Sequence, residues 1–297
     1  YGVLGQGNRV SAKKPIQVQG IENIVDIAAG DNHVIAIDNV GKIYTWGLNS
    51  SGQLGNGNTK TETMPEKING VGNEVISIAA AGNMTAIVDS SENVYVFGDN
   101  SSEQIAKQDA YYTTPQLVNN IKNAVKVECM KNAIVVLKTD GSVQKISKYA
   151  KEDNAQIEEI ASENIVDISS TNLNTMLLNI YTYGDNSKGQ AGIGNISDSV
   201  ALQKITTLDK TYMALGAGYK NNYAIDTDGF AYSVGNNEYG QLGNALYEDS
   251  YTFTLVGDRN FKILPETKTM KQPEEEKVTL ETNIFNVFNN NTRKLTD

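Results

Sequence analysis

The phrase at positions 44–58, Y-T-W-G-L-N-S-S-G-Q-L-G-N-G-N, constrains this chain more than anything else in it, because parts of it keep returning. Its head comes back as Y-V-F-G-D-N at Tyr95, Y-T-Y-G-D-N at Tyr181 and Y-S-V-G-N-N at Tyr232. Its tail opens the chain as G-V-L-G-Q-G-N from Gly2, and recurs as G-Q-A-G-I-G-N from Gly189 and G-Q-L-G-N from Gly240. An alternating aromatic head suits a strand. The glycines suit turns that need positive φ or a close backbone approach.

Around each head the sequence predicts further short strands. The first unit reads as strands at 24–28, 33–37 and 42–46, with an edge strand at 15–18 ahead of them opening on Pro15. The second reads as 75–79, 85–88, 94–97 and 115–118. The third has 125–128, 133–137 and 142–146, an Asp140-Gly141 hairpin turn, and 156–160 in place of a Pro-headed strand. The fourth has 165–168, 175–178 and 180–183; the fifth has 212–215, 222–225, 230–234 and 251–256, with a turn at Asp228-Gly229. Ile27, Ile78, Val127, Ile168 and Leu215 hold equivalent positions, at steps of 51, 49, 41 and 47 residues. A four-stranded antiparallel unit repeating at this period predicts an all-β fold, a β-propeller with five repeats visible.

The composition excludes several functions. A net charge of −10 without any Lys/Arg stripe argues against a surface that neutralises phosphates, and so against nucleic acid. No apolar run reaches the length of a membrane span, so no membrane insertion is expected. Cys129 is the only cysteine, which rules out an internal disulfide, and it reads as a small buried hydrophobe. His33 is the only histidine; it reads as a hydrogen-bonding part of its blade, not a catalytic base. No Cys/His spacing fits zinc. The glycine-rich tail precedes strands, whereas a phosphate cradle must precede a helix. No catalytic residue, metal ligand or cofactor site is therefore expected.

Recurrence also sorts the polar residues. Asp26, Asp99, Asp167 and Asp185 return by unit, which marks them as structural, since acid–base work needs two carboxylates in different environments. Asn49, Asn100, Asn186 and Asn237 should hold turns by bonding backbone groups. Tyr44, Tyr95, Tyr181 and Tyr232 should pack between blades.

The combination G-x-x-H-x-x-A-I, a Gly turn, and Y-x-W-G-x-N-x-x-G-Q-L-G-x-G resembles the repeat of the regulator of chromosome condensation family. It is carried by Gly30, His33, Ala36, Gly41, Tyr44, Trp46, Gly47, Asn49, Gly52, Gln53, Leu54, Gly55 and Gly57. The fifth unit matches nearly as well, the second and fourth in part, and the third only in its strands. The resemblance covers residues 1–256 and implies membership of a seven-bladed propeller superfamily that includes exchange factors, protein-binding modules and bacterial inhibitors of beta-lactamases. Five units and a leading half-repeat then imply that N-terminal repeats lie upstream. Residues 257–297 lose the repeat and read as a C-terminal extension or linker, with 278–288 able to supply a strand.

In such a blade the loops joining strands one to two and three to four emerge on one face. They place Met84, Met130, Leu173, Tyr219 and Lys220 there, with Leu48, Asp99, Asp185 and Tyr239 from the Gly-x-Asn loops. These positions vary between units while the strands do not, and within-chain variation on a constant frame is where adaptation to a partner is written. The expected function is a non-catalytic binding module that presents this face to a protein, or alternatively to a glycan. The Asn, Ile, Lys and Tyr bias suggests a bacterial source, and such a binding module is expected within a longer surface or secreted chain. The competing reading is an inhibitor or regulator of a partner enzyme.

Overall fold

The computed structural model describes residues 1–103, 105, 109–149, 155–161, 165–171, 174–178, 181–208, 210–257, 268–271 and 277–280. Five four-stranded antiparallel sheets follow one another, each built in simple chain order, and no helix occurs among the described residues. Blade 1 is β1 (Ile24–Ala29), β2 (His33–Asp38), β3 (Ile43–Gly47) and β4 (Glu62–Lys67). Blade 2 is β5 (Val75–Ala81), β6 (Met84–Asp89), β7 (Val94–Asp99) and β8 (Tyr111–Leu117). Blade 3 is β9 (Ala124–Met130), β10 (Ala133–Lys138), β11 (Val143–Tyr149) and β12 (Ala155–Ala161). Blade 4 is β13 (Asp167–Ser170), β14 (Asn174–Leu178), β15 (Tyr181–Asn186) and β16 (Ser197–Lys204). Blade 5 is β17 (Tyr212–Ala217), β18 (Asn221–Asp226), β19 (Ala231–Gly235) and β20 (Ser250–Leu255). Beyond it, β21 (Lys268–Lys271) pairs with β22 (Lys277–Leu280), so a strand does fall at the start of the 278–288 stretch. The fourth unit's expected strand start at Ile180 lies outside the described residues.

Period-2 alternation turns alternate residues of each second strand toward opposite neighbours. Ile35 and Ile37 of blade 1 meet Ile78 and Ile87 of blade 2. Ala86 and Val88 of blade 2 meet Val127, Ile134 and Val136 of blade 3. Val135 and Leu137 meet Ile168 and Leu177 of blade 4, and Met176 meets Leu215 and Ala224 of blade 5. The core is thus a series of apolar layers between blades. Ile27 is the exception among the five equivalent inner residues. It is 59% exposed, while Ile78, Val127, Ile168 and Leu215 are buried, because its side faces away from blade 2 and no earlier blade meets it.

The glycine loop that closes one blade docks on the next. Gly57 N–H donates to Thr113 O of blade 2 at 2.8 Å, and Gly194 N–H to Tyr251 O of blade 5 at the same distance. Gly55 (φ +68°) lies so close to the Phe97 ring that a Cβ would come within 2.6 Å of it. Residues 1–8 serve blade 1 in the same way: Gly7 N–H donates to Thr63 O at 2.9 Å, and Trp46 Nε1–H donates to Val3 O at 2.8 Å. Blade 5 departs from this pattern. Its Gly240 is covered by its own Tyr247 and its Gly243 by its own Val256. Its Gln241 carbonyl accepts from its own Tyr223 hydroxyl at 2.8 Å. The corresponding carbonyls of Gln53 and Gln190 accept from Thr85 and Asn222 of the following blade.

One expected strand is absent. Residues 15–18 carry no ladder, since no strand of the described chain lies beside them. Val18 instead packs against the cluster of Val34, Ala36 and Trp46 on the uncovered side of blade 1.

Candidate functional site

Three of the four expected turn asparagines, Asn49, Asn186 and Asn237, sit in a shared frame. Each is wholly buried. Each Oδ1 accepts the N–H of the residue five positions on, Leu54 at 3.0 Å, Ala191 at 2.9 Å and Leu242 at 2.9 Å. The loop glutamine completes the frame: Gln53, Gln190 and Gln241 each accept, through Oε1 at 2.8 Å, the N–H of Ser51, Lys188 and Tyr239. Asn100 works alike in blade 2, accepting from Ile105 N–H at 2.7 Å. Buried amides therefore fix the backbone, while the residue two before the glutamine is free to differ: Ser51, Lys188 or Tyr239. A second bond joins this loop to the turn between the first two strands. Leu48 N–H donates to Asn32 O, Asp99 N–H to Asn83 O and Asn236 N–H to Lys220 O, at 2.7, 2.9 and 2.8 Å. Both loop sets thus share one face.

That face holds the anticipated residues unevenly. Tyr239 is 81% and Tyr219 62% exposed, Lys220 is half-buried beside them with its Nζ 5.7 Å from the Tyr219 ring centre, and Leu48 is half-buried. Asp99 turns back to Ser101, accepting from its Oγ at 2.9 Å, and Asp185 accepts from Gln190 Nε2 at 2.6 Å, so both brace their own loops. Met84 and Met130 do not belong to the surface. Met84 opens β6 at 0% exposure among the apolar residues between blades 2 and 3. Met130 is buried between blades 3 and 4, its Sδ 3.8 Å from Thr175 Oγ1. Met84 just after its turn and Met130 just before its own both point between blades, where long apolar chains fill volume. Leu173 lies outside the described residues. Sequence reasoning passed over Leu246 and Tyr247, both exposed on the same blade-5 loop as Tyr239. Their signal was present, since Leu246-Tyr247 replaces the polar Asn58-Thr59 of blade 1.

A second polar constellation lies at the axis. Lys126 Nζ on β9 donates to Asp167 Oδ1 at 2.6 Å and to Ile168 O at 2.7 Å, and it lies 3.3 Å from Glu128 Oε1. Burial pushes the Glu128 carboxyl up to about 7, against the pull of Lys126. His33 is buried, and burial holds it down to about 4. Its Nε2 lies 2.8 Å from Thr85 Oγ1, whose own hydroxyl donates to Gln53 O at 2.8 Å. Cys129 is buried, and burial raises its thiol well above the usual range. Among the described residues no three His, Cys, Asp or Glu side chains are arranged to hold a metal ion, and no helix is long and apolar enough to cross a membrane.

The repeat tyrosines also brace their blades. Tyr44, Tyr95 and Tyr232 direct their hydroxyls to Asp38, Asp89 and Asp226 at 3.3, 3.5 and 3.2 Å. The other oxygen of each aspartate takes two turn N–H groups, as Asp226 does from Asp228 and Phe230.

A family model described as "Regulator of chromosome condensation (RCC1) repeat" matches residues 1–37 and 40–88, and a second model of the same repeat matches residues 24–53. The chain is 27% identical over 247 residues to the Ultraviolet-B receptor UVR8 of Arabidopsis thaliana, spanning 82% of this chain and 48% of that protein. It is 24% identical over 286 residues to the Regulator of chromosome condensation of Xenopus laevis, spanning 82% of this chain and 66% of that one. Among solved structures, Prp20p of Saccharomyces cerevisiae superimposes with a TM-score of 0.68 at 16% identity, over 80% of this chain and 64% of that one. The chain thus spans about half the length of the plant receptor.

Proposed function

We propose that this chain, a β-propeller whose residues 1–37 and 40–88 match the RCC1 repeat, is a non-catalytic module whose loop face binds a protein. The observation that carries this reading is the amide frame. It repeats from blade to blade with the same bonds, yet the side chain it displays changes, and on blade 5 it displays Tyr239 at 81% exposure next to exposed Tyr219. Tyrosine held on a fixed backbone buries a large area with little rotamer entropy lost, which is how binding anchors work. The relatives support a protein as the partner: Prp20p has been described with binding properties to Gsp1p and histones, and in complex with Kap60. We place the module in a bacterial protein on the strength of its Asn, Ile, Lys and Tyr bias.

The test is a titration against the captured partner with two sets of variants. Tyr219→Ala and Tyr239→Ala should each weaken binding by about 2 kcal/mol with the melting temperature unchanged. Alanine at Asp140 and Asp228, on the hairpin tips of the opposite face, should leave it alone. The reverse result would mean that the other face binds.

A further inference from the structure

Two cavities lie in series where the inner strands converge. The outer one opens on the loop face, has a volume of about 300 Å³, and is walled by Gly30, Ala81, Gly82, Ser170, Ala217 and Tyr219. The inner one, of about 200 Å³, continues along the same strands and is walled by Asp26, Ser77, Lys126, Glu128 and Ser169. Ala80 lines both. Below Asp31 and Tyr219, the outer wall is lined by small residues: Ala29, Gly30, Ala80, Ala81, Gly82 and Ala217.

Carboxyl groups outnumber cationic side chains around the interior. Glu128 and Asp167 share the single ammonium of Lys126, which is 2.6 Å from Asp167 and 3.3 Å from Glu128, and Asp26 adds a further carboxylate. Lys126 itself shows how this interior receives a cation: a carboxylate oxygen on one side and the Ile168 carbonyl of an inner strand at 2.7 Å on the other. Inner strands are sheet edges, so such carbonyls ring the axis. At the rim, Asp31 is exposed, and the Tyr219 ring already has the Lys220 ammonium over its face at 5.7 Å. Lys131 beside Gly82 and Lys220 oppose the field of the interior. Their charges at the exposed rim are screened by water and salt, whereas those inside act through a lower dielectric.

We propose that this axial well receives the guanidinium or ammonium side chain of a protein segment seated on the loop face. The proposal rests on the binding face argued above and names the partner's chemistry: a positively charged, extended side chain on an exposed segment. The side chain passes Asp31 and Tyr219, threads the small-residue collar, and places its charge near Glu128.

The probe is a fluorescein-labelled Gly-Gly-Arg-Gly-Gly peptide, with citrulline and glutamate versions of the same length, titrated by anisotropy into the full chain. The arginine peptide should bind saturably, at least tenfold tighter than the citrulline peptide, which keeps the shape and removes the charge. Glu128→Gln, Asp31→Lys and Tyr219→Ala should each reduce arginine-peptide affinity severalfold. Asp140→Lys and Asp228→Lys change the net charge equally on the far face and should leave it unchanged. Circular dichroism melts verify that each variant is folded, and Asp31→Lys keeps the test alive if the buried Glu128 variant is not. Equal binding of arginine and citrulline peptides, no saturable binding, or equal losses from near-face and far-face lysines would each overturn the well. If Tyr219→Ala weakens the captured protein while Asp31→Lys and Glu128→Gln do not, the binding face stands and the well falls.

Discussion

Lys126 Nζ meets Asp167 Oδ1 at 2.6 Å, and this contact ties the inner strand of blade 3 to that of blade 4. The partners are buried to different extents, with the aspartate side chain 8% and the lysine side chain 21% exposed. Removing Asp167 takes the nearer carboxylate from the mostly buried Lys126 ammonium and leaves it Glu128 at 3.3 Å. We expect Asp167→Ala to lower the unfolding free energy by about 3 kcal/mol, read from urea denaturation, and Lys126→Met combined with Asp167→Leu to recover much of that loss.

Glu128 should make stability fall with rising pH. Its folded value of about 7 lies above its ordinary 4.5, so the folded state holds the proton more tightly than the unfolded one. The stability it contributes is complete below about 4.5 and is lost as pH rises through 7. Glu128→Gln, which cannot ionise, should therefore gain stability relative to the parent at pH 8 compared with pH 5. Parallel stability–pH curves for the two proteins would refute this.

His33 acts in the opposite sense. Its folded value of about 4 lies below the ordinary 6.5, so its contribution is complete above 6.5 and is lost as pH falls through 4. Because Thr85 gives its own proton to Gln53 O, its oxygen must accept from the ring, which places the imidazole proton on Nε2. The chain has one histidine, so a long-range ¹H–¹⁵N spectrum assigns the tautomer without ambiguity. A proton on Nδ1 at pH 7 would break the chain of bonds inferred here.

Gly47 and Gly55 should resist substitution for different reasons. Gly47 adopts φ +105° against the Asn32 carbonyl, while Gly55 faces the Phe97 ring of the next blade. Gly47→Val and Gly55→Val should each cost about 1 to 3 kcal/mol. In addition, Phe97→Ala should relieve part of the Gly55→Val defect and none of the Gly47→Val defect. A thermodynamic cycle of thermal melts measures both.

The strands were legible because aromatic alternation and recurring glycines report on backbone needs that every blade shares. The amide frame was legible for the same reason, and Asn49, Asn186 and Asn237 work as their recurrence implied. The tyrosine–aspartate brace was missed, although its six-residue spacing recurs at Asp38/Tyr44, Asp89/Tyr95 and Asp226/Tyr232. Met84 and Met130 misled because variation between units was read as surface adaptation. Packing between unlike blades varies too: the place of Met84 in blade 2 is held in blade 1 by His33, which forms a hydrogen bond instead. The axial Lys126 and Asp167 come from different blades, 41 residues apart, and nothing local in the sequence announces that they meet.

Blade 5 covers Gly240 and Gly243 with Tyr247 and Val256, whereas blade 1 leaves Ile27 bare. The two ends of the array are therefore chemically unlike, and the stack has a direction. A sheet arriving ahead of blade 1 would gain apolar area at once, over Ile27 and Val25. One arriving behind blade 5 would first have to evict Tyr247 and break the Tyr223–Gln241 bond.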